Sequence, residues 1–314
     1  MFPLTGSRVW VAGHRGMVGA AVWRALEARG DVDLVGWTSG EVDLTDRAAT
    51  LDAAAEARPD VVVMAAAKVG GIAANDAAPV EFLADNVRIQ TNVMEAAHAA
   101  GVDRLLFLGS SCIYPRLAPQ PIPAAAMLTG PLEPTNDAYA IAKLAGVLHT
   151  QGYRREYGRR WISAMPTNLY GPGDSFDPET SHVLPALIHR FDQAVRTGTD
   201  TVTLWGSGTP RREFLHVDDA ASALIHLLEH HDGPEPVNVG TGEDLTIAQL
   251  AHLVADTVGY TGTITWDTTR PDGTPRKLLD ITPLRTTGWE PTITLTDGIR
   301  TTWEWYRRHV THGG

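Results

Sequence analysis

Gly13-His14-Arg15-Gly16-Met17-Val18-Gly19 lies between a short β-rich run and a segment of helix formers, and that placement decides the fold. Backbone N–H groups approach a pyrophosphate closely only where the chain lacks Cβ atoms, so a GxxGxxG spacing between strand and helix reads as a nucleotide loop. A glycine triple by itself would also serve a plain turn; the position between a near-N-terminal strand and a helix favours the nucleotide. Working outward, residues 7–12, 33–36, 61–65, 105–109 and 161–165 read as strands. Residues 18–29, 47–57, 87–100 and 139–157 read as helices. This alternation predicts an α/β fold of the Rossmann-like, doubly wound parallel type.

Beyond Met165 the pattern loosens, with Pro166, Gly171, Pro172, Gly173 and Pro178 in close succession, so a smaller C-terminal α/β substrate lobe is expected there. Residues 213–229 are expected to return to the first lobe, with 214–217 as strand and Asp218 capping the helix after it. Helices are expected at 247–259, after Thr246 as N-cap, and at 295–308. The resulting division is 1–166 plus 213–240 for the dinucleotide and 167–212 plus 241–314 for the substrate.

At 314 residues, with 43% hydrophobic and 20% charged side chains, the chain can bury a large core, which excludes wholesale disorder. Its 26 basic residues against 37 acidic ones give −11, so no general positive field invites nucleic acid or an anionic membrane, and any phosphate must be gripped locally. No run of about 18 apolar residues is present to span a bilayer, and the N-terminus lacks the features of a signal peptide; a soluble cytoplasmic protein is expected. Cys112 is the single cysteine, which excludes an intrachain disulfide. His230 and His231 read as a solvated helix end and no metal site is expected; His216 reads as structural.

A carboxylate for a ribose diol is expected about 20 residues past the glycine loop, yet the end of the second strand reads Gly36-Trp37-Thr38-Ser39-Gly40 and the first acid is Glu41. A 2′-phosphorylated cofactor, NADP(H), is therefore favoured, with Arg15 as the nearest cation. Tyr139 and Lys143 are spaced i, i+4 at a helix start, so they share a face, and the ammonium is expected to lower the phenol pKa. Leu105-Leu106-Phe107-Leu108-Gly109-Ser110-Ser111 brings a hydroxyl to the end of an intervening strand, where parallel sheets hold ligands. Arg190 and Arg212 suit bidentate phosphate binding in an acidic chain, and Trp205, followed by Gly-Ser-Gly, suits an exposed strand end.

With these motifs the chain resembles the extended short-chain dehydrogenase/reductases almost from end to end. Further segments carry the likeness: Ala65-Ala66-Ala67-Lys68-Val69-Gly70-Gly71, Gly109-Ser110-Ser111-Cys112-Ile113-Tyr114-Pro115, Met165-Pro166-Thr167-Asn168-Leu169-Tyr170-Gly171-Pro172, Trp205-Gly206-Ser207-Gly208-Thr209-Pro210 and Pro271-Asp272-Gly273-Thr274-Pro275-Arg276-Lys277. Within the family the resemblance implies an NADPH-dependent 3,5-epimerase and 4-reductase acting on GDP-4-keto-6-deoxy-D-mannose and working as a homodimer. It implies Ser110, Tyr139 and Lys143 as the reductase triad, with Cys112 and His182 as acid and base of the epimerisation. It puts Gly13, His14, Arg15, Gly16, Met17, Val18, Gly19, Ser39, Leu108, Gly109, Ser111, Lys143, Pro166, Asn168, Leu169 and His182 around NADP(H). Arg190, Trp205, Arg212, Asp272 and Lys277 are implied at the GDP-sugar. One departure is Ser39, where the family often has an arginine for the 2′-phosphate. The alternatives are a related NDP-sugar reductase or epimerase on another deoxysugar, such as a GDP-colitose type, and a non-catalytic nucleotide sensor.

Overall fold

A computed structural model describes residues 1–177, 181–270 and 272–311, so Pro178 and Pro271 of the motifs above lie outside the described residues. The first half runs β1 (Arg8–Ala12), α1 (Met17–Arg29), β2 (Asp33–Val35), α2 (Arg47–Ala57), β3 (Val61–Met64), α3 (Ile72–Ala77), α4 (Pro79–Ala99), β4 (Arg104–Leu108), α5 (Asp137–Tyr157) and β5 (Ile162–Pro166). The second half runs β6 (Asn168–Tyr170), α6 (Val183–Thr197), β7 (Thr201–Trp205), β8 (Arg211–Arg212), β9 (Phe214–His216), α7 (Val217–His230) and β10 (Val237–Val239). It ends with β11 (Leu245–Thr246), α8 (Ile247–Val258), β12 (Thr263–Asp267), β13 (Arg276–Lys277), α9 (Thr282–Arg285) and α10 (Leu295–His309).

Six strands form the central sheet in the order β10-β5-β4-β3-β1-β2, and every pairing in it is parallel. The fold is the expected Rossmann-like α/β arrangement. The Val-Val-Val-Met run of β3 is buried throughout, because helices cover both faces of a parallel sheet. On one face α1 and α7 pack over Val9, Val11, Val63 and Leu106; on the other, α4 and α5 cover Trp10, Val62, Leu105 and Phe107. The chain order reverses beside β1, so a crevice opens past the carboxyl ends of β1 and β3.

A third core joins α6, α8 and α10 around Phe191, Leu204, Leu250, Val254 and Ile299. Small sheets flank it: β11-β8-β13, β12-β7 and β6-β9.

Three local readings change. Helix α4 begins at Pro79, eight residues ahead of the expected start, since proline at the first helical position loses no hydrogen bond. Asp218 is not the cap of α7: the His216 imidazole accepts from the Asp218 N–H, and the Asp218 carboxylate pairs with Arg24. Within residues 213–229 it is α7 that packs on the central sheet, whereas β9 pairs with β6 and β10 closes the sheet.

Candidate active site

Sterics shape the glycine loop. Gly13 has φ +85°, and a Cβ there would stand 2.7 Å from the Ala66 backbone; one at Gly19 would stand 2.1 Å from the Gly13 carbonyl oxygen. Gly16 begins α1 with no side-chain cap, and no acid occupies the first turn, which leaves free N–H groups and a positive helix end facing the crevice. Those are the properties a pyrophosphate requires, so this end of the cleft fits a dinucleotide. Gly16, Met17, Val18 and Gly19 line the cleft, whose volume is about 560 Å³.

Gly13, His14, Arg15 and Ser39 fall outside that lining. His14 packs on Trp23 with ring centres 5.1 Å apart, and burial followed by the charge of Arg15 lowers its pKa. Arg15 and Ser39 are exposed, while Glu41 is held by the N–H and hydroxyl of Thr38 at 2.7 and 2.8 Å.

Past β4, Leu108, Gly109, Ser110, Ser111 and Cys112 all line the cleft. Ser110 caps the short turn that follows it, its hydroxyl accepting from the Cys112 N–H at 3.2 Å. From α5, the buried Lys143 donates to the Leu108 carbonyl at 2.9 Å and lies 5.8 Å from the Tyr139 ring centre. Burial pushes the Lys143 ammonium down to about 8.

The i, i+4 spacing predicts an ammonium that lowers the phenol pKa, and the structure differs. Burial, and next the charge of Cys112, push Tyr139 above its ordinary value against an opposing Ser110 hydrogen bond. The phenol thus keeps its proton at neutral pH, as an acid must.

Cys112 accepts from the Asn136 amide at 3.3 Å and has the Lys277 ammonium 3.8 Å from its sulfur. His182 stands at the start of α6, its ring open to the cleft but walled in by protein, and this desolvation lowers its pKa. The lowered pKa keeps the imidazole in its neutral form, the form a general base needs, while making it a weaker base than a solvated histidine.

Pro166, Asn168 and Leu169 line the floor between β5 and β6. Arg190, Trp205, Arg212, Asp272 and Lys277 line the far side. Burial lowers the pKa of Arg212, opposed by the charges of Glu133, Cys112 and Asp272. Arg190 donates to the Thr203 carbonyl at 3.2 Å. Trp205 is exposed with Arg270 5.0 Å above its ring. The Asp272 carboxylate is engaged by the N–H and hydroxyl of Ser207 at 2.7 and 2.8 Å, so it supports the turn that carries Trp205.

Asn136 and Glu133 were missed in the sequence. Asn136 directly precedes α5, three residues before Tyr139, and this spacing was the available signal. Glu133 accepts from the Thr274 hydroxyl at 3.0 Å and pairs with Arg116 at 3.2 Å, a link between distant segments with no local signal.

Residues 9–240 match the NAD dependent epimerase/dehydratase family. A putative GDP-L-fucose synthase 2 of Arabidopsis thaliana is 54% identical over 97% of this chain and 93% of its own. The GDP-L-fucose synthase of Escherichia coli K12 is 52% identical over 96% of this chain and 97% of its own. A GDP-L-fucose synthetase structure from Naegleria fowleri bound to NADP superposes with a TM-score of 0.90 at 28% identity, covering 99% of this chain and 97% of that one. With its glycine loop, its parallel sheet and these full-length likenesses, the chain belongs to the NAD dependent epimerase/dehydratase family.

Proposed function

We propose that this protein converts GDP-4-keto-6-deoxy-D-mannose to GDP-L-fucose by inverting C3 and C5 and reducing C4 with NADPH. The observation that carries the reading is a thiol, Cys112, flanked by Asn136 and Lys277 in the same cleft as Ser110, Tyr139 and Lys143. A ketone at C4 acidifies the hydrogens on both C3 and C5. Tyr139 and Ser110 offer donors to the C4 oxygen, and one such site stabilises both an enolate and the later alkoxide. Cys112 and His182 serve as the acid–base pair: one takes a proton from one face of the ring and the other returns one to the opposite face, first at one carbon and then at the other. Tyr139 finally gives its proton to the C4 alkoxide, with Lys143 beside the ring as the charge that steadies it. When bound, NADPH supplies the hydride.

The free N–H groups of the first turn after Gly16 support pyrophosphate binding, and Arg15 is the cation available to a 2′-phosphate. Arg190 and Arg212 suit the GDP diphosphate, and Trp205 suits stacking or hydrogen bonding beside it. Residues 1–166 plus 213–240 are read as the dinucleotide part and the remainder as the GDP-sugar part. A homodimer belongs to the same reading: Ile141, Ala145 and Leu148 form an exposed apolar stripe along α5 that a second copy would cover. No helix among the described residues is long and apolar enough to cross a membrane. Residence in the cytoplasm is part of the proposal.

The test is NMR identification of the product formed from GDP-4-keto-6-deoxy-D-mannose and NADPH. GDP-L-fucose is expected. A 6-deoxy sugar with unchanged C3 and C5, or no reaction, would reject the proposal.

A further inference from the structure

Glu213 is fully buried, lies between the cleft residues Arg212 and Phe214, and has no part in the chemistry above. One carboxylate oxygen accepts from the N–H groups of Thr241 and Gly242 at 2.6 and 2.7 Å; the other accepts from the Leu279 N–H at 3.0 Å. Its backbone carbonyl accepts from the Thr167 hydroxyl at 3.2 Å and the Asn168 amide at 2.8 Å. These partners come from different segments, of which Thr167 and Asn168 line the cleft while residues 241, 242 and 279 lie behind its sugar-side wall. Thr167 and Asn168 follow the last-but-one strand of the central sheet, on the cofactor side. Leu279 comes two residues after Lys277, which pairs in register with Arg212 across β13 and β8; residues 241 and 242 lead into β11 on the other side of β8. A single residue thus joins all three strands of the small sheet at one end and ties them to the floor of the cleft.

The chemistry of the position calls for a carboxylate. Every group facing the side chain is a donor, and a carboxylate is acceptor-only, whereas an amide would turn its own N–H₂ against one of them. The surrounding chain is cut to its shape: a Cβ at Gly240 would stand 2.2 Å from the nearer carboxylate oxygen.

We infer that Glu213 is a positioning residue that fixes the sugar-side wall, carrying Arg212 and Lys277, against the strand end carrying Asn168. Hydride transfer needs two carbons held at close approach, and an error of 1 Å can cost about 100-fold. Proton removal at C3 and C5 involves only the sugar and its acid–base pair, Cys112 and His182, neither of which Glu213 contacts, so it does not depend on how the sugar sits against the nicotinamide. Loosening this tie therefore slows reduction more than it slows exchange at C3 and C5.

The inference rests on the proposed reaction, and wild-type protein tests that reaction separately: without solvent exchange at C3 and C5 and NADPH oxidation in the wild type, the reaction assignment is what fails. Given both, E213Q disturbs the carboxylate side of the tie and T167V removes the hydroxyl bond on the cofactor side. The expected result for each is a rise of at least about fivefold in deuterium incorporated per NADPH oxidised, a steeper loss in kcat for reduction than in NADPH affinity, and NADPH binding within about twofold of wild type. For E213Q, hydrogen exchange followed by mass spectrometry should also speed up at peptides covering 241–242 and 279. An unchanged exchange-to-reduction ratio in T167V overturns the inference, whether both rates stay normal or fall together, and this holds even if E213Q does not fold.

Discussion

Ser110 stands two residues past a five-residue strand of the central sheet, and Tyr139 and Lys143 on a 21-residue helix packed against that sheet. Cys112, two residues past that serine, meets Asn136 from the turn before the helix and Lys277 from a two-residue strand, while His182 looks in from the start of α6. The proposed reductive corner is therefore set by long elements whose geometry is local: an i, i+4 spacing and a strand end. The proposed epimerising corner is assembled from segments that meet only through tertiary contacts. An oxyanion site of this kind can gain a second reaction when loops bring an acid and a base to it, and the two reactions should then be separable by mutation.

The largest effect is expected at the reductive corner. Tyr139→Phe should lower NADPH oxidation by about 10²–10⁴-fold, followed at 340 nm, while NADPH affinity by fluorescence titration stays close to wild type. Retention of activity within about tenfold, roughly 1.4 kcal/mol in barrier, would remove Tyr139 from the role of acid.

Next comes the epimerising corner. Cys112→Ser should slow deuterium uptake at C3 and C5 by about 100-fold and divert the product toward a 6-deoxy sugar of unchanged C3 and C5 configuration. His182→Gln should slow inversion as well, with some exchange left. Normal exchange and normal product from both variants would make Cys112 a packing residue and erase the contrast between the two corners.

A pH profile sharpens the comparison from another side. With Lys143 pushed down to about 8, its ammonium form is present below that pH and is lost above it. In the free enzyme, kcat/KM for reduction should be level below about pH 8 and fall tenfold per unit above it. Lys143→Arg should move that limb upward, because a guanidinium keeps its charge. A limb unmoved by the substitution would assign it to another group.

The smallest effect belongs to the far end of the cofactor site. Ser39→Arg should raise the NADPH-over-NADH ratio of kcat/KM by about fivefold, the scale of one exposed charge pair. A clear wild-type preference for NADH would refute the choice of NADPH.

The legible parts of the molecule were those written in short-range pattern. The glycine spacing marked the loop before α1, and Thr246 as N-cap placed α8 to within a residue, an end that the structure completes as a capping box with Gln249. Helix α6 escaped notice because it follows a run of glycine and proline, although its Leu184, Leu187, Ile188 and Phe191 face the third core. The small sheets escaped because two-residue strands such as β8, β11 and β13 carry no periodicity to read.

By itself the sequence determined the parallel sheet, the loop at Gly13 to Gly19 and the shared face of Tyr139 and Lys143, since backbone sterics and helical repeat act over a few residues. Tertiary structure decided the rest. The direction of the Tyr139 shift follows from burial, which no spacing encodes. The sulfur of Cys112 meets partners 24 and 165 residues away, and Glu213 meets Leu279 across 66. Such contacts exist only once separate segments have packed, because the desolvation and donor geometry that define them are properties of the assembled cleft.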